Sequence, residues 1–450
     1  MKTPLTPKPL QQLLADQRDA LPEILGRARH PTIQSHYLHW DKLRHRAPPH
    51  GLDHEQWWLG IKLSRSNQYR PLPLLDTSGR AFVYMLPDRV HEALHHIDGQ
   101  ASGRIGVPEQ VTNPDTRDRF IISSLIEEAI TSSQLEGAST TRAVAAEMIR
   151  AGRRPKDRSE RMILNNYQAM HTTRGIAHEP LTPQRVLELH ATLTSQTLDD
   201  ARDVGRIQHP DDERVQVWDN RDQRVVYTPP PASELPRRLD EMVRFANHGI
   251  SDGSFLHPVI HAIALHFWLA YDHPFADGNG RTARALFYWA MLKHGYWMFE
   301  FISISRLLKQ APGQYARAFL HTETDGNDLT YFIVQQIEII MRAIGDLGAY
   351  IDEKIEQVKQ VEGLLKRSSE LNHRQLALLA HAIRHPDAHY TTRSHMTSHG
   401  VVYATARADL FKLAELGLLH RTRIGGKTNR FLVAPDLEDR IRTITATRAV

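Results

Sequence analysis

Apolar positions recur at helical spacing through the middle of the chain. From Arg117 to Glu136, Ile121, Leu125, Ile126, Ala129, Ile130 and Ser133 share one face, and Gly137 offers a stop; the spacing predicts a helix. His257 to Tyr271 is apolar almost all round, with Pro258 at a tolerated first-turn position, which predicts a fully buried helix. A third helix starts near Asn279–Arg281 and runs on through Ala283, Leu286, Phe287, Ala290 and Met291. Shorter β-prone runs lie around them. Arg214 to Tyr227 has two such arms flanking Asp219-Asn220-Arg221-Asp222, which predicts a β-hairpin, and Arg80 to Leu86 reads as a strand. Residues 346–370 carry a charged helical pattern, a connecting helix. Beyond it, Asn372–Arg384, Thr391–Ser398 and Ala404–Leu416 read as helices. Leu418–Arg423 and Asn429–Val433 read as strands around Gly425-Gly426-Lys427.

Composition adds limits. At roughly 150 residues per domain, 450 residues suggest three domains. With 41% hydrophobic and 24% charged residues, the chain is neither disordered nor fibrous. It has no cysteine, which excludes disulfides, a thiol nucleophile and any cysteine-based metal site. No apolar run is long enough to span a membrane, and the Pro-punctuated start MKTPLTPKPLQQLL is no signal peptide, so a cytoplasmic protein without membrane contact is expected. The formal charge of +4 is uneven: residues 371–450 hold twelve Lys and Arg against six Asp and Glu. That excess points to an acidic partner for the tail.

The chemistry concentrates in Tyr271 to Arg284, YDHPFADGNGRTAR. Gly278-Asn279-Gly280 permits backbone conformations closed to most residues, and its N–H groups at a helix start make a nest for phosphate oxygens. Arg281 and Arg284, three apart, share a face beside that nest and suit a polyphosphate. Asp277 is a hard oxygen ligand of the kind Mg²⁺ on a nucleotide requires. His273 stands ready as a proton acceptor, and Phe275 plugs the loop into the core. Asp272 either turns toward His273, raising its pKa, or points to solvent or caps the loop.

This stretch resembles the signature of Fic-domain proteins, HxFx(D/E)GNGRxxR, at every specified position. The resemblance extends to Leu256-His257-Pro258, to Tyr227-Thr228-Pro229-Pro230, to Ile304-Ser305-Arg306 and to Tyr315. It implies a mainly α fold: an N-terminal Fic-associated region over 1–110, a Fic helical core with a β-hairpin flap over 111–345, the connecting helix, and a further domain over 371–450. It also implies transfer of AMP from ATP to a Ser, Thr or Tyr hydroxyl of a target protein, or of the protein itself. On that reading His273 is the base and Asp277 holds Mg²⁺. Gly278, Asn279, Gly280 and Arg281 cradle the α- and β-phosphates, Arg284 takes the γ-phosphate, and Tyr315 lies near the adenine. Val215, Val217 and Trp218 belong to the flap that docks the target by strand addition. Gly280, where related Doc-type kinases carry lysine, favours nucleotidyl transfer.

Glu136 sits at a helix C-terminus, where the dipole disfavours a carboxylate. With Ser132 and Gly137 it also fits the Fic inhibitory motif (S/T)xxxE(G/N). The resemblance then implies that Glu136 pairs with Arg284 and blocks productive ATP binding; some relatives use the same glutamate to remove AMP. The tail resembles a winged helix–turn–helix, with Arg407 and Lys412 on its third helix and Arg421, Arg423, Lys427 and Arg430 on its wing, suited to DNA phosphates. Alternatives are a DNA-binding regulator whose Fic core senses ATP or modifies only itself, a Fic enzyme using UTP or CDP-choline, and for the tail a protein or homodimer contact. His257 and His261, spaced i,i+4, lack the glutamate of HExxH and read as hydrogen-bonded core residues, as Trp57-Trp58 reads as core.

Overall fold

The computed structural model describes the chain except residues 1–2, 29, 103–113, 220–223, 251–252, 367–370, 387, 425–427 and 447–450. The fold is mainly helical with small two- and three-stranded sheets. It divides into two compact units, Met1–Gly103 with Ser123–Ile344, and Arg104–Ile122 with Gly345–Val450.

In the first unit, helix α1 (His54–Ser66) starts at a reciprocal cap between Asp53 and Gln56. It buries Trp57 and Trp58 against Leu13, Ile24 and Leu43, so the tryptophans are core as expected. The expected strand is present as β2 (Ala81–Tyr84). Its partner β1 (Arg70–Leu75) was not expected, because Pro71 and Pro73 argue against a strand. In a two-stranded ribbon the prolines are tolerated, and the register slips between Pro71 and Leu75.

The helical core contains α2 (Pro114–Leu135), α3 (Arg158–Gly175), α4 (Pro183–Thr194), α5 (Leu235–His248), α6 (Pro258–Asp272) and α7 (Asn279–Lys293). Helix α6 is buried all round, as its sequence predicts, and packs along α5 and α7. His261 is core: its Nε2 bonds to the carbonyl of Phe245 and its Nδ1 to His294, while His257 bonds to Asp98. Helix α2 buries the predicted face and stops where Gly137 takes φ +94°. Its buried Glu128 accepts from the Tyr288 hydroxyl at 2.9 Å, from Ser303 Oγ at 2.8 Å and from Ser305 N at 3.1 Å, and also from Ser305 Oγ. A buried carboxylate with four donors ties α2 to the core. Ser132 and Glu136 follow at four-residue intervals, on the same side of the helix. Strands β3 (Val217–Asp219) and β4 (Arg224–Tyr227) form the predicted hairpin, shorter than its sequence suggests. Helix α8 (Pro312–Thr324) follows, and then α9 (Thr330–Lys366), one unbroken helix that runs through the position where a separate connecting helix was expected.

In the second unit, α10 (His373–Arg384), α11 (Thr392–His399) and α12 (Tyr403–Glu415) match the three expected helices within a residue or two. Strands β6 (Leu419–Ile424) and β7 (Thr428–Val433) pair as expected, and an unexpected β5 (His389–Thr391) adds to β7, giving the order β5-β7-β6. Leu378, Leu379, Leu410, Leu413, Leu419 and Phe431 are among its core. Buried Asp409 of α12 accepts from Asn372 and Arg374 at α10 and bonds His395 of α11, so one carboxylate fixes all three helices. Among the described residues no helix is long and apolar enough to cross a membrane.

Candidate active site

The loop between α6 and α7 is built by its own side chains. His273 caps α6 in the left-handed region, φ +46°, and its N–H bonds to the carbonyl of Leu269. Its Nδ1 lies 3.3 Å from the carbonyl of Ala270. A carbonyl only accepts, so Nδ1 carries the proton and Nε2 keeps the lone pair. Burial, then the nearby Arg214, lower this histidine's pKa to about 4 against the opposing pull of the Ala270 carbonyl, Glu136 and Asp277. The ring is therefore neutral at physiological pH.

Phe275 is fully buried, as expected, and lies flat on the ring of His190 at 3.8 Å. Asn279 closes the loop on itself: its Oδ1 accepts from Phe275 N at 2.9 Å and its Nδ2 donates to Phe275 O at 2.8 Å. Its side chain is thus spent inside the loop. Gly278 takes φ +84°, and a Cβ there would fall 2.7 Å from Thr194. Gly280 is a glycine for a different reason from the one its sequence suggests. Its φ lies outside the left-handed region, and an added Cβ would meet the Glu136 carboxylate at 2.2 Å. The glutamate lies directly against the start of α7.

Arg284 is buried and held by α2. Its Nε donates to Ser132 Oγ at 2.9 Å, and its Nη2 donates to Ser132 O at 3.0 Å and to Glu136 Oε1 at 2.7 Å. Burial opposes both charges, yet the pairing wins: Arg284 is raised and Glu136 lowered, with Arg281 and His273 adding to the latter. Arg281 is also buried but poorly matched. Its Nη1 donates to Leu193 O at 3.0 Å, its Nε and Nη2 make no hydrogen bond, and Nη2 only approaches Asp277 at 3.5 Å. Burial lowers its pKa. A buried guanidinium with unsatisfied N–H groups is the donor set a phosphate completes.

Asp277 is about half exposed, and its Oδ1 accepts from Gly278 N at 2.5 Å. No group of three metal-ligating side chains occurs among the described residues. Asp277 thus offers a single hard oxygen donor at the loop rather than a share in a cage. Tyr315 bonds His266 through its hydroxyl at 2.8 Å and stands beside Arg284.

The structure corrects both readings of Asp272. It is buried, and it turns neither to His273 nor to solvent. Arg238 bonds Oδ1 at 2.7 to 2.8 Å and Trp268 Nε1 donates to Oδ2 at 3.0 Å. Burial raises its pKa to about 6, with Arg238 opposing.

Three residues to which the sequence assigns no role at the site also shape the loop. His190 accepts the Gly205 N–H at Nδ1, 3.1 Å, so its Nε2 donates to the carbonyl of Asp277, 2.9 Å, while its face carries Phe275. Arg214 and Tyr227, at the two feet of the hairpin, donate to the last carbonyls of α6. Of the flap residues, Val215 and Val217 are half-buried; the Trp218 side chain lies outside the described residues.

In the second unit, Arg407 of α12 and Arg421 of β6 lie over the Phe411 ring, at 4.9 and 5.1 Å. Lys412 and Arg423 are exposed and Arg430 is half-buried; Lys427 lies outside the described residues. Val402 and Tyr403, at the start of α12, are among the most exposed large apolar residues, 69% and 59%.

Residues 180–291 match the model of the Fic/DOC family. The chain is similar to the protein adenylyltransferase Fic of Drosophila sechellia, 39% identical over 70 residues, which is 16% of this chain and 14% of that protein. The Drosophila ananassae protein of the same name is 37% identical over 70 residues, with the same shares of each chain. The matched stretch thus spans about 14% of the length of these curated relatives. Among solved structures, a Fic family protein from Desulfovibrio desulfuricans G20 is similar at 18% identity and a TM-score of 0.49, covering 77% of this chain and 95% of that one.

Proposed function

We propose that the protein is a Fic-type protein adenylyltransferase, restrained by Glu136, that moves AMP from ATP to a hydroxyl of a target protein or of itself. The observation that carries this is the convergence, in one site, of an open His273 Nε2, a buried Arg281 short of partners and an Arg284 occupied by a carboxylate. In the proposed step, the target hydroxyl oxygen attacks the α-phosphorus while Nε2 of His273 takes its proton. The bond from the α-phosphorus to the bridging oxygen breaks and pyrophosphate leaves. Arg281 offers its unpaired N–H groups to the phosphate charge, and Arg284, once free of Glu136, holds the γ-phosphate. Asp277 would hold Mg²⁺, which when bound would supply positive charge to the phosphates. The flap hairpin presents its edge to an extended target segment.

The test is AMP incorporation from labelled ATP into lysate proteins and into the protein itself, run beside UTP and CDP-choline. Transfer from ATP is expected to exceed the others. Transfer only from another donor would overturn the base assignment, because the loop reads phosphates and scarcely reads the base.

A second reading concerns the 371–450 region. The Arg407–Phe411–Arg421 stack supports a winged helix that binds DNA, since it sets a helix arginine and a strand arginine on one ring, beside exposed Tyr403. Replacing Arg421 and Arg423 together by alanine is expected to weaken binding on every DNA sequence and flatten its salt dependence. Replacing Arg407 is expected to relax sequence preference. A gel shift at low salt with no complex from the intact protein would remove this reading.

A further inference from the structure

Helix α6 ends at the residue before His273, and the final carbonyls of a helix have no partners within it. Here the last two of them, and the two carbonyls that follow, are satisfied from one stretch of chain. The Tyr227 hydroxyl donates to Tyr271 O at 2.9 Å, Arg214 Nη2 to Asp272 O at 2.7 Å, Arg214 Nη1 to His273 O at 2.9 Å, and Gln208 N to Pro274 O at 2.8 Å. Arg214 is itself fixed by two more bonds, Nε to the carbonyl of Pro230 at 2.8 Å and Nη1 to Gln208 Oε1. It is a cation at the negative end of a helix dipole, where charge and donors both suit it.

The residue it grips is the strained one. His273 is one of five non-glycine residues with positive φ among those described. A side chain carrying a Cβ adopts that conformation only when its surroundings impose it. The conformation also directs the ring: it lets Nδ1 reach back to the carbonyl of Ala270, which leaves Nε2 as the acceptor.

We propose that Arg214 is a positioning residue for adenylyl transfer: by clamping the carbonyls of Asp272 and His273 to the foot of the flap hairpin, it holds His273 in its left-handed conformation with Nε2 free. The hairpin and the base are thereby one mechanical unit, and a target strand that settles on the flap meets a base already aimed. This inference rests on the transferase reading above.

The charged groups around His273 are Arg214, Glu136 from the end of α2 and Asp277 from the loop, Asp272 being turned to Arg238. Removing Arg214 takes away the one that lowers the histidine's pKa and should raise it. A residue serving only as a nearby charge would leave kcat intact wherever that charge, and with it the pKa, is kept.

The experiment compares Arg214→Met and Arg214→Lys with their parent, each in the full-length Glu136→Gly protein. It measures kcat, KM for ATP, the pH dependence of kcat, and the titration of the His273 ring by NMR with labelled histidine, its signal assigned by loss in His273→Ala. Arg214→Met is expected to lower kcat by about tenfold to a hundredfold, the scale of a misplaced catalytic group. KM for ATP should stay within about threefold, as expected when a loss falls on the transition state alone. The His273 titration should shift upward. Arg214→Lys keeps the charge but not the fork, so it should restore the titration more fully than kcat. An unchanged kcat in Arg214→Met, or a loss confined to KM, would overturn the proposal. So would an unmoved His273 titration in both variants. If Arg214→Met does not fold, Arg214→Lys decides: a lowered kcat with the titration near its parent's supports the proposal, and a kcat equal to the parent's overturns it. If the Glu136→Gly parent transfers no AMP, the transferase reading fails, and the titration still decides whether Arg214 governs the ring.

Discussion

Replacing Glu136 by glycine is expected to raise AMP incorporation, self-modification included, by about tenfold to a hundredfold. The carboxylate makes one of the three hydrogen bonds by which α2 holds Arg284, and the other two run to Ser132. Removing it frees one N–H of Nη2, while the Ser132 bonds still position the group. A hydrogen bond between charged groups contributes roughly 1.5–3 kcal/mol, and each 1.4 kcal/mol is about a factor of ten. Space adds to charge, because the carboxylate lies 2.2 Å from where a Cβ on Gly280 would stand, against the start of α7. The same account requires that Arg284→Ala, placed in the Glu136→Gly protein, lose most of the gain. Initial rates from labelled ATP for the wild type, both single variants and the double variant decide it. Equal rates for wild type and Glu136→Gly would end the idea of a brake. A double variant that keeps the full gain would show that Glu136 acts by some route other than Arg284.

Replacing His273 by alanine in the activated protein is expected to cut the transfer rate by about 10²–10⁴, the usual contribution of a positioned base. Affinity for ATP should stay within a few-fold, since the ring bonds the end of α6 and the phosphate-side donors are Arg281 and Arg284. The pH profile follows from the same burial. A base works in its neutral form, and this ring is neutral above about pH 4. The rate should therefore be level from about pH 6 to 8 and fall only as the pH approaches the ring's lowered pKa. A fall centred near 6.5, the value of an unburied histidine, would mean that the ring is solvated during turnover. Full activity in the alanine variant would remove His273 from the chemistry.

The loop residues were legible in the sequence because their contacts are short-range. His273, Phe275, Asn279 and the glycines lie within eight positions of one another, and Asn279 bonds a residue four places back. Helices α6 and α7 were legible because burial on all or one side writes itself into hydrophobic spacing. The partners from elsewhere left no such trace. His190 is one polar position on a half-buried helix, and nothing in its neighbourhood says that Phe275, 85 residues on, will lie against its face. Strand β1 hid behind its prolines, since only pairing with β2 shows that a two-stranded ribbon can spare their missing donors. Asp272 was read against its neighbour in sequence and found its partner in Arg238, 34 residues before it.

By itself, then, the sequence determined which groups this protein has to work with: a histidine, a glycine-rich helix start, two arginines and a glutamate placed before them. Those choices are set by residue type and local spacing, and both are written in order along the chain. The tertiary structure alone decided which of these groups is occupied, which is left short of partners and which is held in strain. Arg284 is taken by Ser132 and Glu136, Arg281 keeps unsatisfied N–H groups, and His273 is bent by a clamp from Arg214. The physical reason is that hydrogen-bond satisfaction and desolvation belong to the packed neighbourhood, and that neighbourhood is assembled from segments as much as 152 residues apart.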